Sequence, residues 1–453
     1  MRFSVVGLGK LGASMAAAIA NRGYEVVGVD VNPRSVELVN QGHAPVQETD
    51  LESTIAKNHK RLRATHSYGD AILNTDLTFV IVPTPSDERG AFSLQYAATA
   101  FRDIGQALAS KKDYHNVVLT STVLPGATRH GLMPIIERES GKKCGRDFGL
   151  CYSPEFIALG SVIRDFLNPD FTLIGEIDER AGAQLETCYQ GIMENKPPCR
   201  RMSFENAELA KIAVNSYVTM KITFANMLAN ICERIQGGDI DVVTSALGTD
   251  KRISRHYLKG ALGYGGPCFP RDNVALSFVA RSVGTTAELA EVTDRANRSL
   301  PKNLVAGLST HLRKGMKVAV LGLSYKPLSS VVEESQAMQI VEHLAGLGFV
   351  ITAYDPLANE PAAKVLGGKV SLMDSIAACV KEADAVIIAN PDPVFAALTA
   401  DDFRRPKTRV LVLDCWRMLS KALSGQDGID YIPYGCSRDE AFNTRRLMEL
   451  WKR

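Results

Sequence analysis

Cys268 sits in the run Gly263-Tyr264-Gly265-Gly266-Pro267-Cys268-Phe269-Pro270-Arg271-Asp272, with a carboxylate four residues beyond the thiol. Glycines let backbone approach a ligand closely and prolines restrict the chain, so this loop presents its cysteine. That suits a covalent nucleophile. A cysteine taken alone is more often a small buried hydrophobe, so the decision falls to residues elsewhere in the chain. A second set is Lys211, Asn215 and Thr219, spaced four apart in a stretch of helical periodicity, which puts a cation and an amide on one face. They can point at one ligand, or they can form an ordinary solvated face.

The N-terminus weighs toward a ligand. Residues 2–6 read as a short apolar strand running into Gly7-Leu8-Gly9-Lys10-Leu11-Gly12, and an Ala-rich helix runs on to about Ala20. The first glycine serves a tight turn, the second admits a pyrophosphate, and the third packs helix on strand, while the helix N-terminus faces the negative charge. A second strand, residues 25–29, ends in Asp30, eighteen positions past Gly12, where a carboxylate meets a ribose diol. An acid there repels a 2′-phosphate, which favours NAD over NADP, although Arg34 nearby is a feature that suits NADP.

The elements that must hold these residues alternate between strand and helix patterns as far as about Glu176, with further strands at 78–82, 117–120 and 149–152. This reads as a doubly wound parallel sheet, and the turns Pro83-Thr84-Pro85 and Ser121 to Gly126 fall at strand C-terminal ends, where such sheets bind ligands. Thr84 and Thr122 are therefore candidate contacts. Residues 204–235 read as one long helix ended by Gly237-Gly238, long enough to bridge domains or pair with a second subunit. A second strand-turn-helix half begins at Met316, with strands at 317–321, 349–354, 385–389 and 410–413 and a helix at 335–347. The expected fold is α/β, with two Rossmann-like doubly wound parallel-sheet domains, 1–203 and 301–453, joined by a long central helix and a helical middle domain, 204–300. The last linker is expected at about 300–315.

At 453 residues and 45% apolar composition, the chain can bury several cores. Fifty-two basic and 50 acidic residues are intermixed, which gives no reason to expect nucleic acid as a partner. Nine cysteines without a CxxC pattern suit a reducing compartment, and neither a disulfide framework nor a metal site is expected. No apolar run approaches the roughly 18 residues of a membrane span. The expectation is a cytoplasmic protein.

These residues together resemble the UDP-glucose/GDP-mannose dehydrogenase family. The resemblance rests on the fingerprint, Val82-Pro83-Thr84-Pro85, Ser121 to Gly126, Ser153-Pro154-Glu155-Phe156 with Gly160 and Asp165, Glu208-Leu209-Ala210-Lys211 through Asn215, and the Cys268 loop. Within the family the wording is similar to that of the UDP-glucose branch. The resemblance implies a four-electron oxidation of a sugar nucleotide's primary alcohol to a carboxylate, using two NAD and a thioester on Cys268. It implies Lys211 and Asn215 as oxyanion stabilisers, Glu155 as general base, and Asp272 and Thr122 as groups that position water. It places NAD at Gly7, Gly9, Lys10, Leu11, Gly12, Asp30, Arg34, Thr84 and Thr122. It places substrate at Glu155, Phe156, Lys211, Asn215, Arg252 (acting across a dimer), Tyr257, Lys259, Tyr264, Gly265, Tyr325, Lys326 and Arg417. A homodimer or higher oligomer is implied.

Two departures stand in the second half. Glu333 occupies the place of a family arginine that contacts NAD, and Asp414-Cys415-Trp416-Arg417 replaces an Asp-Gly-Arg segment. Both bear on which nucleotide or sugar is bound. The competing readings are a two-electron dehydrogenase of the 6-phosphogluconate or hydroxyacid type, which needs no thiol, and a non-catalytic sugar-nucleotide sensor.

Overall fold

The computed structural model describes residues 1–405 and 408–452. The chain forms two compact units, Met1–Ala213 and Val214–Arg453, and the division falls inside the long helix Phe204–Cys232.

The first unit is built on an eight-stranded sheet. Its strands are β1 (Phe3–Val6), β2 (Val26–Val29), β3 (Leu62–Thr65), β4 (Leu77–Val80), β5 (Asn116–Leu119), β6 (Gly149–Tyr152), β7 (Thr172–Glu176) and β8 (Cys199–Ser203), in the order β3-β2-β1-β4-β5-β6-β7-β8. β1, β2, β4, β5 and β6 are buried along their whole length, as parallel strands covered on both faces require. Phe3, Val5 and Phe79 pack on one side of the sheet, and Val6, Val80, Phe101 and Phe148 on the other. The sheet is not wholly parallel, because β7 runs antiparallel to β6. This has a use: the connection 153–171 stays at the ligand-binding end of the sheet and keeps Glu155 and Phe156 there.

In the second unit, helices Ile240–Thr249, Phe269–Ser282 and Glu288–Ser309 precede a six-stranded sheet. Its strands are β9 (Lys317–Leu321), β10 (Val350–Tyr354), β11 (Ser371–Leu372), β12 (Ala385–Ile388), β13 (Val410–Asp414) and β14 (Ile429–Pro433), all parallel, in the order β11-β10-β9-β12-β13-β14. The linker expected from Leu300-Pro301 is corrected. The helix runs through Pro301 to Ser309, and Leu300, Leu304, Val305 and Leu308 are buried with Val318 and Val320 of β9. That packing outweighs the ~3 kcal/mol that an internal proline takes from a helix.

One device recurs in both units. Gly7 after β1 and Gly322 after β9 both have positive φ, and the next N–H, of Leu8 or Leu323, donates to the aspartate just beyond the neighbouring strand. Leu8 meets Asp30 at 2.6 Å and Leu323 meets Asp355 at 2.8 Å. The two copies differ beyond the turn. The first helix starts at Lys10, directly after it, whereas in the second unit the next helix waits until Gln336. Among the described residues, no helix is long and apolar enough to cross a membrane.

Candidate active site

The turn after β1 has the features a dinucleotide requires. A Cβ on Gly7 would lie 2.0 Å from the Ile81 carbonyl oxygen, and one on Gly12 would lie 1.8 Å from that of Gly7, so neither position tolerates a side chain. Gly9 faces open space and caps the helix Lys10–Asn21 without any side-chain acceptor, and the first turn carries no acid. The helix N-terminus is thus left for an outside anion, as a pyrophosphate needs. Asp30 is partly exposed at the end of β2 and accepts from the N–H groups of Leu8 and Asn32, while Arg34 is exposed beyond it.

The turns after β4 and β5 are tied together. Thr84 Oγ1 donates to the Thr122 carbonyl at 2.8 Å, and Ser121 Oγ accepts from Val82 N–H and donates to the Val82 carbonyl. Thr84 is therefore a holder of the Thr122 turn. The chain then enters a π-helical turn, Ala127–Leu132, whose start is pinned by Glu208: its buried carboxylate accepts from Gly126 N–H at 2.6 Å and Thr128 N–H at 2.8 Å. Burial pushes the Glu208 carboxyl upward, and those hydrogen bonds pull it back. One turn along the same helix, Lys211 Nζ donates to the Glu155 carbonyl at 2.6 Å and lies 4.5 Å from the Phe156 ring centroid. Phe156 packs on Phe171 at 4.8 Å. Loss of water around the Glu155 carboxyl pushes it up to about 7, against the opposing pull of the Lys211 charge. Within the first unit Lys211 thus lies against Glu155 and Phe156, while Thr122 is tied to Thr84, and Glu208, to which the resemblance gives no role, pins the turn that follows Thr122.

In the second unit Cys268 ends its loop at the N-cap of helix Phe269–Ser282, and it is the exposed member of the nine cysteines. The positive end of that helix therefore faces the thiol. Asp272, buried in the first turn, accepts from Asn215 Nδ2 at 2.6 Å. The next pair along continues the seam: Asn273 Nδ2 donates to Thr219 Oγ1 at 2.9 Å and to the Tyr264 hydroxyl at 3.0 Å. Asn215 and Thr219, four apart on the long helix, thus meet Asp272 and Asn273, adjacent on the cysteine helix.

Two asparagines to which the sequence gives no role hold the loop before Cys268. Asn226 accepts from Ala261 N–H and donates to the Leu262 carbonyl; Asn297 accepts from Tyr264 N–H and donates to the Tyr264 carbonyl. Each behaves as a short length of neighbouring strand. Gly265 lies against the Glu334 carbonyl, Gly266 N–H donates to the Glu333 carbonyl at 2.9 Å, and a Cβ on Gly266 would fall 2.5 Å from the Tyr325 ring. Glu333, the charge-reversed position, serves the loop with its backbone while its side chain is exposed.

The remaining expected substrate residues are spread out. Tyr264 is buried, Tyr257 and Lys259 are exposed, and Tyr325 and Lys326 are half-buried. Arg252 is exposed and paired with Asp250, and Lys221 holds its loop through the carbonyls of Ile253 and Ser254. Arg417 differs from expectation. Its buried guanidinium forms a two-pronged pair with Asp241 at 2.8 Å and donates to the Tyr434 carbonyl at 2.7 Å, so here it fastens helix Ile240–Thr249 to the turn after β13.

Comparison with known proteins matches three successive stretches of the chain. Residues 1–193 match the NAD binding domain of the UDP-glucose/GDP-mannose dehydrogenase family, 205–299 its central domain, and 319–421 its UDP binding domain. The chain belongs to this family. It is 35% identical over 435 residues to a UDP-glucose 6-dehydrogenase of Haloferax volcanii, covering 95% of this chain and 99% of that protein. It is 34% identical over 414 residues to the GDP-mannose 6-dehydrogenase of Pseudomonas putida, covering 88% and 93%. The structure of a UDP-glucose dehydrogenase from Pyrobaculum islandicum superposes with a TM-score of 0.86 at 33% identity, covering 96% and 98%. The dehydrogenase is thus an oxidoreductase of the nucleotide-sugar 6-dehydrogenase family with an NAD-binding domain, in agreement with the fold, cofactor and reaction class expected from the sequence.

Proposed function

We propose that this dehydrogenase oxidises the primary alcohol of a nucleotide sugar to the carboxylate in two two-electron steps, with UDP-glucose as the first substrate to test and GDP-mannose or a UDP-N-acetylhexosamine as the alternatives. The observation that carries the reading is Cys268, exposed at a helix N-terminus one turn from the buried Asp272–Asn215 pair. NAD, when bound, accepts the hydrides that leave the sugar's C6. After the first oxidation the Cys268 sulfur adds to the aldehyde carbon, and the alkoxide formed is met by Lys211 and Asn215, one turn apart on one helix. Loss of the second hydride leaves an acyl–sulfur bond. Water, deprotonated by Glu155 and oriented by Asp272 and Thr122, then cleaves it to carboxylate and thiol.

A carboxyl that titrates near 7 suits a base working at neutral pH, which supports Glu155 in that role. A homodimer is supported by Tyr217, Phe224, Met227 and Ile231, large apolar side chains exposed along the long helix. Arg252, exposed and held by its loop, suits the role of reaching a partner's substrate. The cysteine usage suits a reducing cytoplasm. The test is stoichiometry across a panel of UDP-, GDP- and dTDP-sugars. The expected result is two NADH and one acid per sugar, and a single NADH with a ketone product would assign the two-electron class instead.

A further inference from the structure

Within Val214–Arg453, a cavity of about 60 Å³ lies among Gly263, Tyr325, Gln336, Asn390 and Trp416. It opens at the C-terminal ends of β9 and β12, where the chain leaves β9 toward β10 on one side while β12 flanks it on the other; such crevices take ligands in open α/β sheets. Two amides line it and both are almost wholly buried, Gln336 at 4% and Asn390 at 2% exposure. Asn390 is oriented by Nδ2, which donates to the Ser324 carbonyl and Oγ at 2.9 Å each, and its Oδ1 has no partner. Gln336 has a partner for neither Nε2 nor Oε1.

The polar groups packed around them are satisfied. Asp355 accepts from Leu323 N–H, Ser324 N–H and Ser324 Oγ, Ser335 Oγ donates to the Leu323 carbonyl, and Trp416 Nε1 donates to the Ala389 carbonyl. A buried polar group without a partner costs about 1–3 kcal/mol. One amide NH2 and two amide oxygens without a partner, on two residues that line one small cavity, therefore mark a place that a ligand completes.

We propose that Gln336, assisted by Asn390, reads the edge of the substrate's nucleobase by pairing its amide with a lactam or imide N–H and the carbonyl beside it. This rests on the nucleotide-sugar reading above. The rings of Tyr325 and Trp416 on the cavity wall suit a planar group, the cavity has room for the edge of a base, and the surrounding residues 319–421 match a UDP binding domain. Uracil offers N3–H beside O4, and guanine offers N1–H beside O6. Guanine's 2-amino group would also meet Asn390 Oδ1, so guanine satisfies all three unmet atoms and uracil two. The shared chemistry has two sources, a UDP-sugar and a GDP-sugar, and the titration separates them.

The experiment is calorimetric titration of the full-length protein with UDP, GDP, N3-methyl-UDP and N1-methyl-GDP, comparing the natural chain with Gln336→Leu and with Gln336→Met, which keeps the side-chain length. Whichever diphosphate binds best identifies the base. The substitution should weaken it about tenfold or more, as should N-methylation on the natural chain, and the two losses should not add. Because leucine removes unmet polar atoms, Tm of the unliganded variant should hold or rise. Unchanged binding by both variants, tolerance of the methyl group, or a Tm lowered by several degrees would overturn the proposal. Gln336-dependent binding without NAD reduction by any nucleotide sugar would sink the oxidation reading alone. NAD reduction indifferent to base methylation would sink this one alone.

Discussion

As the proposed base, Glu155 should couple pH to a single step. Its carboxyl is held up to about 7, so below that pH it carries a proton and is no base; hydrolysis should therefore rise through about pH 7 and level off above it. The stability sign runs the other way. The folded carboxyl keeps its proton up to about 7, while the unfolded chain gives it up near the ordinary 4.5, so this residue's contribution to stability declines as pH rises between those values and is flat beyond. Glu155→Gln should leave both hydride transfers in place, lower acid formation by roughly 10²–10⁴-fold, and gain in Tm relative to the natural chain from pH 5 to pH 8. Intact-mass spectrometry should show an acyl adduct on this variant that vanishes when Cys268 is also replaced by serine; normal turnover with no adduct would refute the assigned roles. The sequence named Glu155 only through the Pro-Glu-Phe wording, because burial, the cause of its shift, depends on residues distant in the chain. Gln336 had no wording to betray it.

The element that presents Cys268 is a loop held by side chains from two helices. Asn226 and Asn297 supply four hydrogen bonds to the backbone of Ala261, Leu262 and Tyr264. Asn297→Ala leaves a buried N–H and a carbonyl unmet, a loss of about 1–3 kcal/mol each. The expected outcome is a Tm lower by several degrees and a reduced kcat with the KM for NAD unchanged, read by melting and steady-state kinetics; a raised KM for NAD would show that the damage is not local. The glycines and prolines made this loop visible in the sequence, but the asparagines act over 33 to 36 positions, beyond any local pattern. Local signals also misled at Pro301, where buried leucines carry the helix on. They were silent at β8, where Arg200, Arg201 and Ser203 leave no apolar run, and at the two-residue β11.

At the scale of the whole chain, the fold class was legible because apolar strands, glycine turns and long helical periods agree with one another over most of its length. The reversed β7 was not, since strand direction is a property of pairing and leaves no mark in composition. The exposed apolar face of the long helix argues for self-association: Phe224→Glu with Ile231→Glu should turn a dimer into a monomer by light scattering and lower turnover, and a natural chain that is monomeric at micromolar concentration would remove the argument. The thiols show a further contrast across the molecule. Burial raises Cys144, Cys151, Cys188, Cys199, Cys232, Cys379, Cys415 and Cys436, so these eight are poor nucleophiles at neutral pH. Cys268 stands apart, open to water at the head of its helix. Iodoacetamide or peroxide at stoichiometric amounts should therefore mark this one sulfur, as peptide mapping would show, and silence the protein with a single hit. On the proposed role, the exposure that would let Cys268 meet a sugar aldehyde should also make it the point where oxidation shuts the enzyme down, reversibly as a sulfenic acid and permanently beyond it.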